Sequence, residues 1–373
     1  MIPFAKPTIS EAAIKKSARI LRSGNVSNGR YCRELEDKVK EISGAEHAVA
    51  VNSCTTGLWL VQKEMGFFKK KHGLWEKRIA VPAFTWKSTY WNIRNPIWMD
   101  CSQETWNVEN VLPNFDGAVI TQVFGNKWMG HYAINGKMPI IADSAHALGL
   151  PYNPAFIAEV YSLAPSKTFT GCEGGVIVTN DVILADNFRE EVKWAGRLEE
   201  VNALVAFEKL KNWKKLLAEK RKIAHYYLME LGRHFKWQDC NAKFGYVGGN
   251  QWISDEESCQ STHNEVGFRF GLKFGEFLQE KLKGKVETRE RYKPDRRVNS
   301  KKCPNAWNVY LDELNIPSWV GVDYRKVTKL VLQAYKEFEE NDSQTMTIER
   351  KITIPLPKAA GLPDSKTYSS WSK

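Results

Sequence analysis

The sequence lacks the features that mark a membrane-spanning or disulfide-rich protein. No apolar run reaches the ~20 residues that a helix needs to cross a bilayer, and the opening stretch, MIPFAKPTISEAAIKK, has no apolar segment of the signal-peptide kind. The seven cysteines are odd in number, and no two of them form a CxxC pair. These absences argue against a disulfide framework and a zinc site, and they predict reduced thiols in a cytoplasmic protein.

Positive charge is in excess, with 54 Lys and Arg against 43 Asp and Glu, a net charge of +11. Nucleic acid would reward such an excess, because phosphate contacts use Lys and Arg. However, the densest basic stretch, residues 209–222, carries apolar residues at helical spacing, which is typical of the solvated face of an amphipathic helix. We therefore expect a basic surface that can attract an anionic substrate, and neither a nucleic-acid nor a membrane partner.

Seven short apolar runs predict the strands of one sheet. Several are nearly continuous in β-branched and aliphatic residues, as in strands that are covered on both faces. We therefore predict an α/β layered fold with a mainly parallel central sheet and helices on each side. The runs are HAVAV (47–51), RIAVPAF (78–84), PIWMDC (96–101), GAVITQVFG (117–125), MPIIAD (138–143), EVYSLA (159–164) and GGVIVTN (174–180).

The sequence pattern changes in its second half. The amphipathic segment Arg197–Leu231 predicts one long helix, and TKLVLQAYKEFEE (328–340) predicts another. The simplest division is a large domain over residues 1–209 and a smaller C-terminal α+β domain over 210–373 that shapes the substrate pocket, with the last fifteen residues loosely ordered.

Polar residues follow several of the predicted strands, where ligands bind in open parallel sheets. Thr55 and Thr56 open a predicted helix, so their segment is either a phosphate cradle or an ordinary helix cap. Asp143 closes the strand MPIIAD as a cap or as the partner of a cation. Lys167 lies between two apolar strands, and Trp86 follows another strand as a core residue or a platform for a ring.

Taken together, these residue types meet the needs of a pyridoxal 5'-phosphate (PLP) site. Most lysines are surface charges, but a lysine in a partly dry pocket has a lowered pKa and can form a Schiff base. PLP also needs a carboxylate for its pyridine nitrogen, a phosphate cup and a residue that stacks on its ring. The sequence has all four in suitable places and predicts no metal.

Read in chain order, seven segments resemble the DegT/StrS-type nucleotide-sugar aminotransferases, whose three-layer fold is fold type I of the PLP enzymes. The resemblance extends over roughly residues 2–230 and weakens in the C-terminal third, where TRERYKP is only faintly similar to the family. The segments cover residues 2–7, 22–36, 44–58, 81–89, 143–149, 162–175 and 197–227.

The resemblance implies a role for each matching position around the cofactor ring. Lys167 forms the Schiff base with PLP and moves the proton between substrate and cofactor. Asp143 pairs with the pyridinium nitrogen and keeps it protonated. Trp86 stacks on one face of the ring, and His146 lies near the ring on the other side of the turn.

The resemblance also assigns the phosphate and a dimer. Thr55, Thr56 and Ser162 bind the phosphate through hydroxyls and amides. Arg197 reaches across the interface of a homodimer toward the neighbour's cofactor. Ala195 departs from the family, which has an asparagine there that contacts the phosphate, so either another group substitutes or PLP is held more weakly.

The reaction implied is a transamination in two halves. An amino acid, glutamate by resemblance, gives its nitrogen to PLP, and the nitrogen then passes to the ketone of a nucleotide-linked 6-deoxyhexose. His146 is typical of relatives that act at C4, whereas glutamine there is typical of relatives that act at C3, so a 4-keto sugar is expected. A 3-keto sugar and a cyclitol remain open as alternatives.

Two further alternatives fit the sequence less well. Sugar dehydratases share this fold but have histidine in place of the lysine, and Lys167 argues against that function. A relative that has lost catalysis and binds nucleic acid through its basic face would not need Lys167 or Asp143.

Overall fold

The computed structural model describes residues 1–68, 77–111, 114–132, 138–238 and 261–351, with short strands at 70–71, 74–75, 244–247 and 251–254. The fifteen C-terminal residues, predicted to be loosely ordered, lie outside this part. Its helices are α1 Glu11–Ser23, α2 Arg30–Ser43, α3 Cys54–Glu64, α4 Val182–Ala195, α5 Glu200–Leu210, α6 Trp213–Leu231, α7 Leu272–Leu282, α8 Pro304–Asp312 and α9 Tyr324–Lys351. Two 3₁₀ turns add Lys87–Thr89 and Val123–Gly125.

The strands fall into one large sheet and several small ones. They are β1 His47–Val51, β2 Lys70–Lys71, β3 Leu74–Trp75, β4 Ile79–Pro82, β5 Pro96–Met99, β6 Asn110–Val111, β7 Gly117–Thr121, β8 His131–Tyr132, β9 Ile140–Asp143, β10 Ala158–Ser162, β11 Gly175–Thr179, β12 Lys236–Trp237, β13 Phe244–Val247, β14 Gln251–Ser254, β15 Val266–Arg269 and β16 Glu313–Ile316.

The central sheet has seven strands in the order β1-β11-β10-β9-β7-β4-β5. Each strand comes from one of the seven apolar runs, which confirms the predicted α/β fold. Strand β11 runs antiparallel to both of its neighbours, and the other pairs are parallel. The mainly parallel sheet explains why the runs are almost continuously apolar, since β4, β7, β9, β10 and β11 are buried along their whole length.

Helices cover both faces of this sheet and give three layers. Alternate residues of a strand point to opposite faces, so neighbours in sequence enter different cores. Val49 and Ile177 pack with α3 and α4 on one face. Ala48 and Val178 pack with α2 and α5 on the other.

Strand register brings the polar strand ends to one edge of the sheet. Thr121 of β7 is level with Asp143 of β9, which in turn is level with Val160 of β10. Ser162 lies two residues further along β10, at the same edge. Parallel pairing therefore places side chains from distant parts of the sequence around one opening.

A second core is formed by the antiparallel sheet β12-β15-β16 with α6, α7 and α9. Aromatic rings fill it, with Phe235 stacked on Phe274 at 5.3 Å between centroids. The predicted helix Arg197–Leu231 is in fact two helices, α5 and α6, separated at Lys211 and Asn212. The break has a packing cause, because α5 contributes to a core of the large sheet and the later turns of α6 to the second core. The domain boundary at residue 209/210 stays a prediction.

The N-terminal arm is built into this second core. Ile2 N–H donates to Lys285 O (2.7 Å), and Glu287 N–H donates back to Ile2 O (2.8 Å). Phe4 N–H donates to the Glu287 carboxylate (3.0 Å), across 283 positions of sequence. The Trp319 indole N–H donates to the carbonyl of Pro3 (3.0 Å).

The N-terminus of α2 is capped by a carboxylate from a different helix. Glu200 of α5 is buried and accepts the backbone N–H groups of Gly29 (2.7 Å), Tyr31 (2.9 Å) and Cys32 (3.0 Å). A Cβ at position 29 would lie 2.8 Å from Cδ of Glu200, so a glycine is needed there. A negative charge at a helix N-terminus is favourable, because three unpaired N–H donors point at it.

Replacing Glu200 with glutamine should therefore weaken the fold. The variant loses the charge and one acceptor oxygen while keeping the size of the side chain, so the free energy of unfolding should fall by about 1–3 kcal/mol. Urea unfolding followed by circular dichroism measures this. Glu199→Gln, an exposed neighbour on the same helix end, is the control. Equal stability of the two variants would contradict the role of the cap.

Candidate active site

A cavity of about 240 Å³ opens at the edge where β4, β7, β9 and β10 end. The sequence predicts eight residues of the site, and the structure brings six of them together here. Their proposed roles toward a cofactor remain predictions, but their placement around one opening follows from the register of the sheet. The six that line the cavity are Thr55, Trp86, Asp143, His146, Ser162 and Lys167.

Thr56 and Arg197 do not line this cavity. The Thr56 amide donates to the Ser53 hydroxyl (3.0 Å) as part of the α3 N-cap. Arg197 is exposed, and its Nε donates to the carbonyl of Lys193 (2.9 Å). A residue that acts on a neighbouring subunit would lie outside its own cavity, so the assignment of Arg197 stays a prediction.

Asp143 is a buried carboxylate with neutral hydrogen-bond donors. Thr89 Oγ1 donates to Asp143 Oδ2 (2.5 Å), and the amide of Ala145 donates to Oδ1 (3.2 Å). The hydroxyl of Thr85 lies 2.9 Å from that of Thr89 and 2.6 Å from that of Thr121, which forms a buried threonine chain. Burial raises the pKa of Asp143, opposed by the hydrogen bond from Thr89. Among the described residues no cation bonds to this carboxylate.

Lys167 faces the same cavity from the loop after β10. Burial lowers the pKa of its amine, and the nearby Arg291 charge lowers it further, while Glu265 and Asp143 act in the opposite direction. The loop is held at the next residue, because the backbone N–H of Thr168 donates to Asn264 Oδ1 (2.9 Å). A partly dry amine with a lowered pKa is more often unprotonated, which is the form that attacks an aldehyde.

A second buried lysine lies nearby and has a different environment. The ammonium of Lys220 donates to Asn264 O (2.9 Å), Ser318 O (2.6 Å) and Ser318 Oγ (2.9 Å). Burial lowers its pKa to about 7. All three of its hydrogens are used to join α6 to two loops, so Lys220 is a structural lysine, whereas Lys167 faces the cavity.

His146 is buried in the wall of the cavity. Burial lowers its pKa well below the ordinary value, and the neighbouring charges of Lys167 and Arg291 lower it further. Its ring stacks on Phe124 at 6.0 Å between centroids, and its Nε2 lies 3.8 Å from Glu265 Oε1.

Trp86 is the most open of the predicted site residues with a ring, at 56% exposed. Its ring meets that of Tyr292 edge-on at 6.1 Å. A tryptophan of the hydrophobic core would be buried. The exposure of Trp86 inside a cavity instead fits a side chain on which a flat ring can stack.

Several residues of the site were not among those predicted from the sequence. Arg291 and Tyr292 line the cavity, and Glu265 forms an ion pair with Arg291 behind it. Thr89 and Gln122 come from turns after β4 and β7. Two signals were available: Thr89 lies seven residues beyond the end of β4, and the segment TRERYKP, faintly similar to the family, contains Arg291 and Tyr292.

The residues present fit PLP. Asp143 offers a buried carboxylate whose hydrogen-bond donors among the described residues, Thr89 and Ala145, are neutral, and a protonated ring nitrogen would supply a positive partner. The start of α3, with Ser53, Cys54 and Thr55 on the cavity, offers a helix N-terminus to a phosphate. Within the described ranges, no group of three His, Cys, Asp or Glu could hold a metal, and no helix has the length and apolarity of a membrane span.

The family model described as the DegT/DnrJ/EryC1/StrS aminotransferase family matches residues 7–243. The chain belongs to this family. It is 30% identical over 206 residues to the UDP-4-amino-4-deoxy-L-arabinose–oxoglutarate aminotransferase of Shewanella sediminis, covering 50% of this chain and 52% of that protein. It is also 30% identical over 207 residues to the spore coat polysaccharide biosynthesis protein SpsC of Bacillus subtilis, with the same coverage. The chain thus spans about half the length of the curated relatives it matches.

Solved structures of this family's fold superpose on most of the chain. A putative sugar aminotransferase Spr1654 from Streptococcus pneumoniae, in its PMP-form, has a TM-score of 0.74 at 16% identity and covers 90% of this chain and 100% of its own. A GDP-4-keto-6-deoxymannose-3-dehydratase with a trapped PLP-glutamate geminal diamine has a TM-score of 0.70 at 19% identity, with 89% and 99% covered. At these identities the likeness shows the fold, which is fold type I as the sequence predicted.

The pKa of Asp143 gives a test in cofactor-free protein. A folded-state pKa above the unfolded value means that the folded chain binds the proton more tightly, so stability is lost as the pH rises from the unfolded pKa, about 3.9, through the folded pKa. Asp143→Asn removes this loss. Its Tm should exceed that of the wild type near neutral pH, with the difference growing as the pH rises from 4.

The exposed Asp186→Asn is the matched control and should shift the Tm little at any pH. If the cofactor-free Asp143→Asn variant has a Tm at or below that of the wild type at neutral pH, burial of the ionised Asp143 carboxylate does not destabilise the fold, and the prediction is wrong.

Proposed function

We propose that this protein is a PLP-dependent aminotransferase that acts on a nucleotide-linked keto sugar. The observation that carries the proposal is that Lys167, Asp143 and Trp86 line one cavity at the carboxyl edge of a mainly parallel sheet. A surface lysine or a capping aspartate would not meet there with an open aromatic platform. Membership of the aminotransferase family supports the same chemistry.

Each side chain has a task that follows from its surroundings. When bound, PLP supplies a ring that withdraws the electron pair left on the substrate carbon. Asp143 holds a proton on the ring nitrogen, because a buried carboxylate gains most from a positive partner. Lys167 holds the cofactor and carries a proton at its Nζ. Trp86 covers one face of the ring and excludes water, while Ser162 and Thr55 offer hydroxyls to the phosphate.

The substrate is proposed to be a 4-keto-6-deoxyhexose on a nucleotide, with glutamate as the donor. His146 lines the cavity, and a histidine at this position, rather than a glutamine, supports a C4 ketone by the tendency seen in similar enzymes. The Shewanella relative is named for a 4-amino-4-deoxy pentose on UDP and for oxoglutarate, the keto acid of glutamate. Lys167 argues against a function like that of the GDP-4-keto-6-deoxymannose-3-dehydratase, whose fold is similar. A 3-keto sugar and a cyclitol are the alternatives.

A homodimer is part of the proposal. Arg197 follows the end of α4 and is exposed, and Trp194, three positions earlier in sequence, is 89% exposed. Tryptophan and arginine are both enriched at interfaces. A cytoplasmic location belongs to the same proposal and draws support from Cys32, Cys54, Cys101, Cys172 and Cys303, which are free thiols.

The first test identifies the lysine that holds PLP. Borohydride treatment of the yellow protein, followed by peptide mapping, should attach PLP irreversibly to the peptide that contains Lys167. Lys220 is a stringent competitor, because it is buried and its pKa is lowered to about 7.

Lys167→Ala should therefore abolish the label, and Lys220→Met should retain it. A label that stays in Lys167→Ala protein, or that disappears only in Lys220→Met protein, would show that the site is wrongly assigned.

The second test identifies the carbon that receives nitrogen. Nucleotide-linked 3-keto and 4-keto sugars, 6-deoxyhexoses and pentoses alike, are incubated with the enzyme and glutamate, and products are resolved by mass and NMR. We expect an amino group at C4. Amination at C3 would contradict the substrate assignment and leave the aminotransferase assignment standing.

A further inference from the structure

Arg291 and Glu265 form a buried ion pair at the wall of the cavity. Arg291 Nη2 lies 2.9 Å from Glu265 Oε1, and Nε lies 3.1 Å from Oε2. The Glu265 side chain is 2% exposed and that of Arg291 is 14% exposed. Two parallel bonds fix the plane of the guanidinium, and the Arg291 backbone N–H is anchored on Glu313 Oε2 (2.8 Å).

This pair uses only one edge of the guanidinium. Nε and Nη2 face Glu265, and Nη1 has no hydrogen-bond partner among the described residues. A guanidinium can bind a second carboxylate end-on, through Nη1 and the other hydrogen of Nη2. Arg291 lines the cavity, with its guanidinium 5.9 Å from the ring centre of Trp86 and 5.8 Å from that of Tyr292. The free edge is therefore held rigidly beside the proposed cofactor platform.

The charges around the cavity leave few partners for an anion. Lys167, Arg291 and His146 are the basic residues that line it, and burial lowers the pKa of Lys167 and His146, so Arg291 is the permanently charged cation of this lining. Lys167 is committed to the cofactor under the proposed function. An amino-acid donor brings a carboxylate into this partly dry space, and a buried carboxylate without a partner is costly.

We propose that Arg291 binds a carboxylate group of the amino donor through its free edge, with Glu265 as the fixed counter-ion that orients it. This inference rests on the proposed function and names the donor subsite within the same cavity. It makes Arg291 a substrate-binding residue and Glu265 a positioning residue.

The counter-ion explains how one cavity can serve two unlike substrates. Without Glu265, the guanidinium would leave a net positive charge in the cavity. That charge would favour the binding of anions in both half reactions. Paired with Glu265, the guanidinium presents N–H donors with little net charge. A carboxylate gains charge-assisted bonds from these donors, and the hydroxyls of an uncharged sugar ring gain ordinary ones.

The test measures binding separately from turnover. Glutarate has the two carboxylates of glutamate and no amino group, so it binds without reacting, and calorimetry gives its Kd for PLP-loaded protein. The double variant R291Q/E265Q removes the pair without leaving Glu265 unpaired. We expect its Kd for glutarate to rise by on the order of 10- to 100-fold.

Two more variants serve as comparisons for this Kd. R289Q removes an arginine two residues away that pairs with Glu287 and does not line the cavity, so its Kd should match the wild type. R291K keeps the charge but loses the planar fork, so its Kd should rise by a smaller factor. R291K also decides the matter if the double variant does not fold.

Single-turnover absorbance measurements give the rate of each half reaction separately. In R291Q/E265Q, the rate of the half reaction with glutamate should fall much more than the rate of the half reaction with the keto sugar. An unchanged Kd for glutarate in R291Q/E265Q and R291K overturns the inference, as does equal weakening of both half reactions. If the wild type attaches no PLP to Lys167 or transfers no amino group, the proposed function itself fails, and this outcome is distinct from the former two.

Discussion

Asp143 places a carboxylate at the buried end of β9, where its hydrogen-bond donors are neutral. A charge in such a place is tolerated only when its surroundings are arranged for it. The threonine chain from Thr85 through Thr89 supplies part of that arrangement, and parallel pairing with β7 and β10 brings the rest of the cavity to the same edge. The burial that makes the carboxylate costly also makes it effective toward a positively charged ring nitrogen.

Two buried lysines show how the same chemical group is put to different uses. Burial lowers the pKa of both Lys167 and Lys220. The amine of Lys220 is surrounded by carbonyl and hydroxyl oxygens that use all its hydrogens, and it joins α6 to the loops at Asn264 and Ser318. Lys167 faces the cavity instead. The two amines differ in the hydrogen-bond acceptors around them, and this difference cannot be predicted from the residue type alone.

Much of the large sheet was accessible from sequence because its signal is local. Runs such as GAVIT are buried along their whole length, so their composition reports their place. The cavity residues from Thr55 to Lys167 follow such runs directly. The antiparallel direction of β11 was not accessible, because the run GGVIVTN has the same composition in either direction.

The pair of Arg291 and Glu265 could not be found this way. The two residues are 26 positions apart and lie on weakly patterned segments, and both are of types that ordinarily occupy the surface. Only packing of the second core against the large sheet brings them to the cavity. The break between α5 and α6 has a similar origin, since Lys211 and Asn212 lie in an otherwise uninterrupted amphipathic pattern.

The N-terminal arm has a consequence for the order in which the protein matures on the ribosome. Phe4 is tied to Glu287, 283 positions later, and its ring lies against the guanidinium of Arg291. The seven strands of the central sheet lie between residues 47 and 179 and can pair while the C-terminal third is still being synthesised, because domains generally fold from the N-terminal side during translation. Phe4 is therefore synthesised long before Glu287 and Arg291, its docking waits for them, and the wall of the cavity is completed only then.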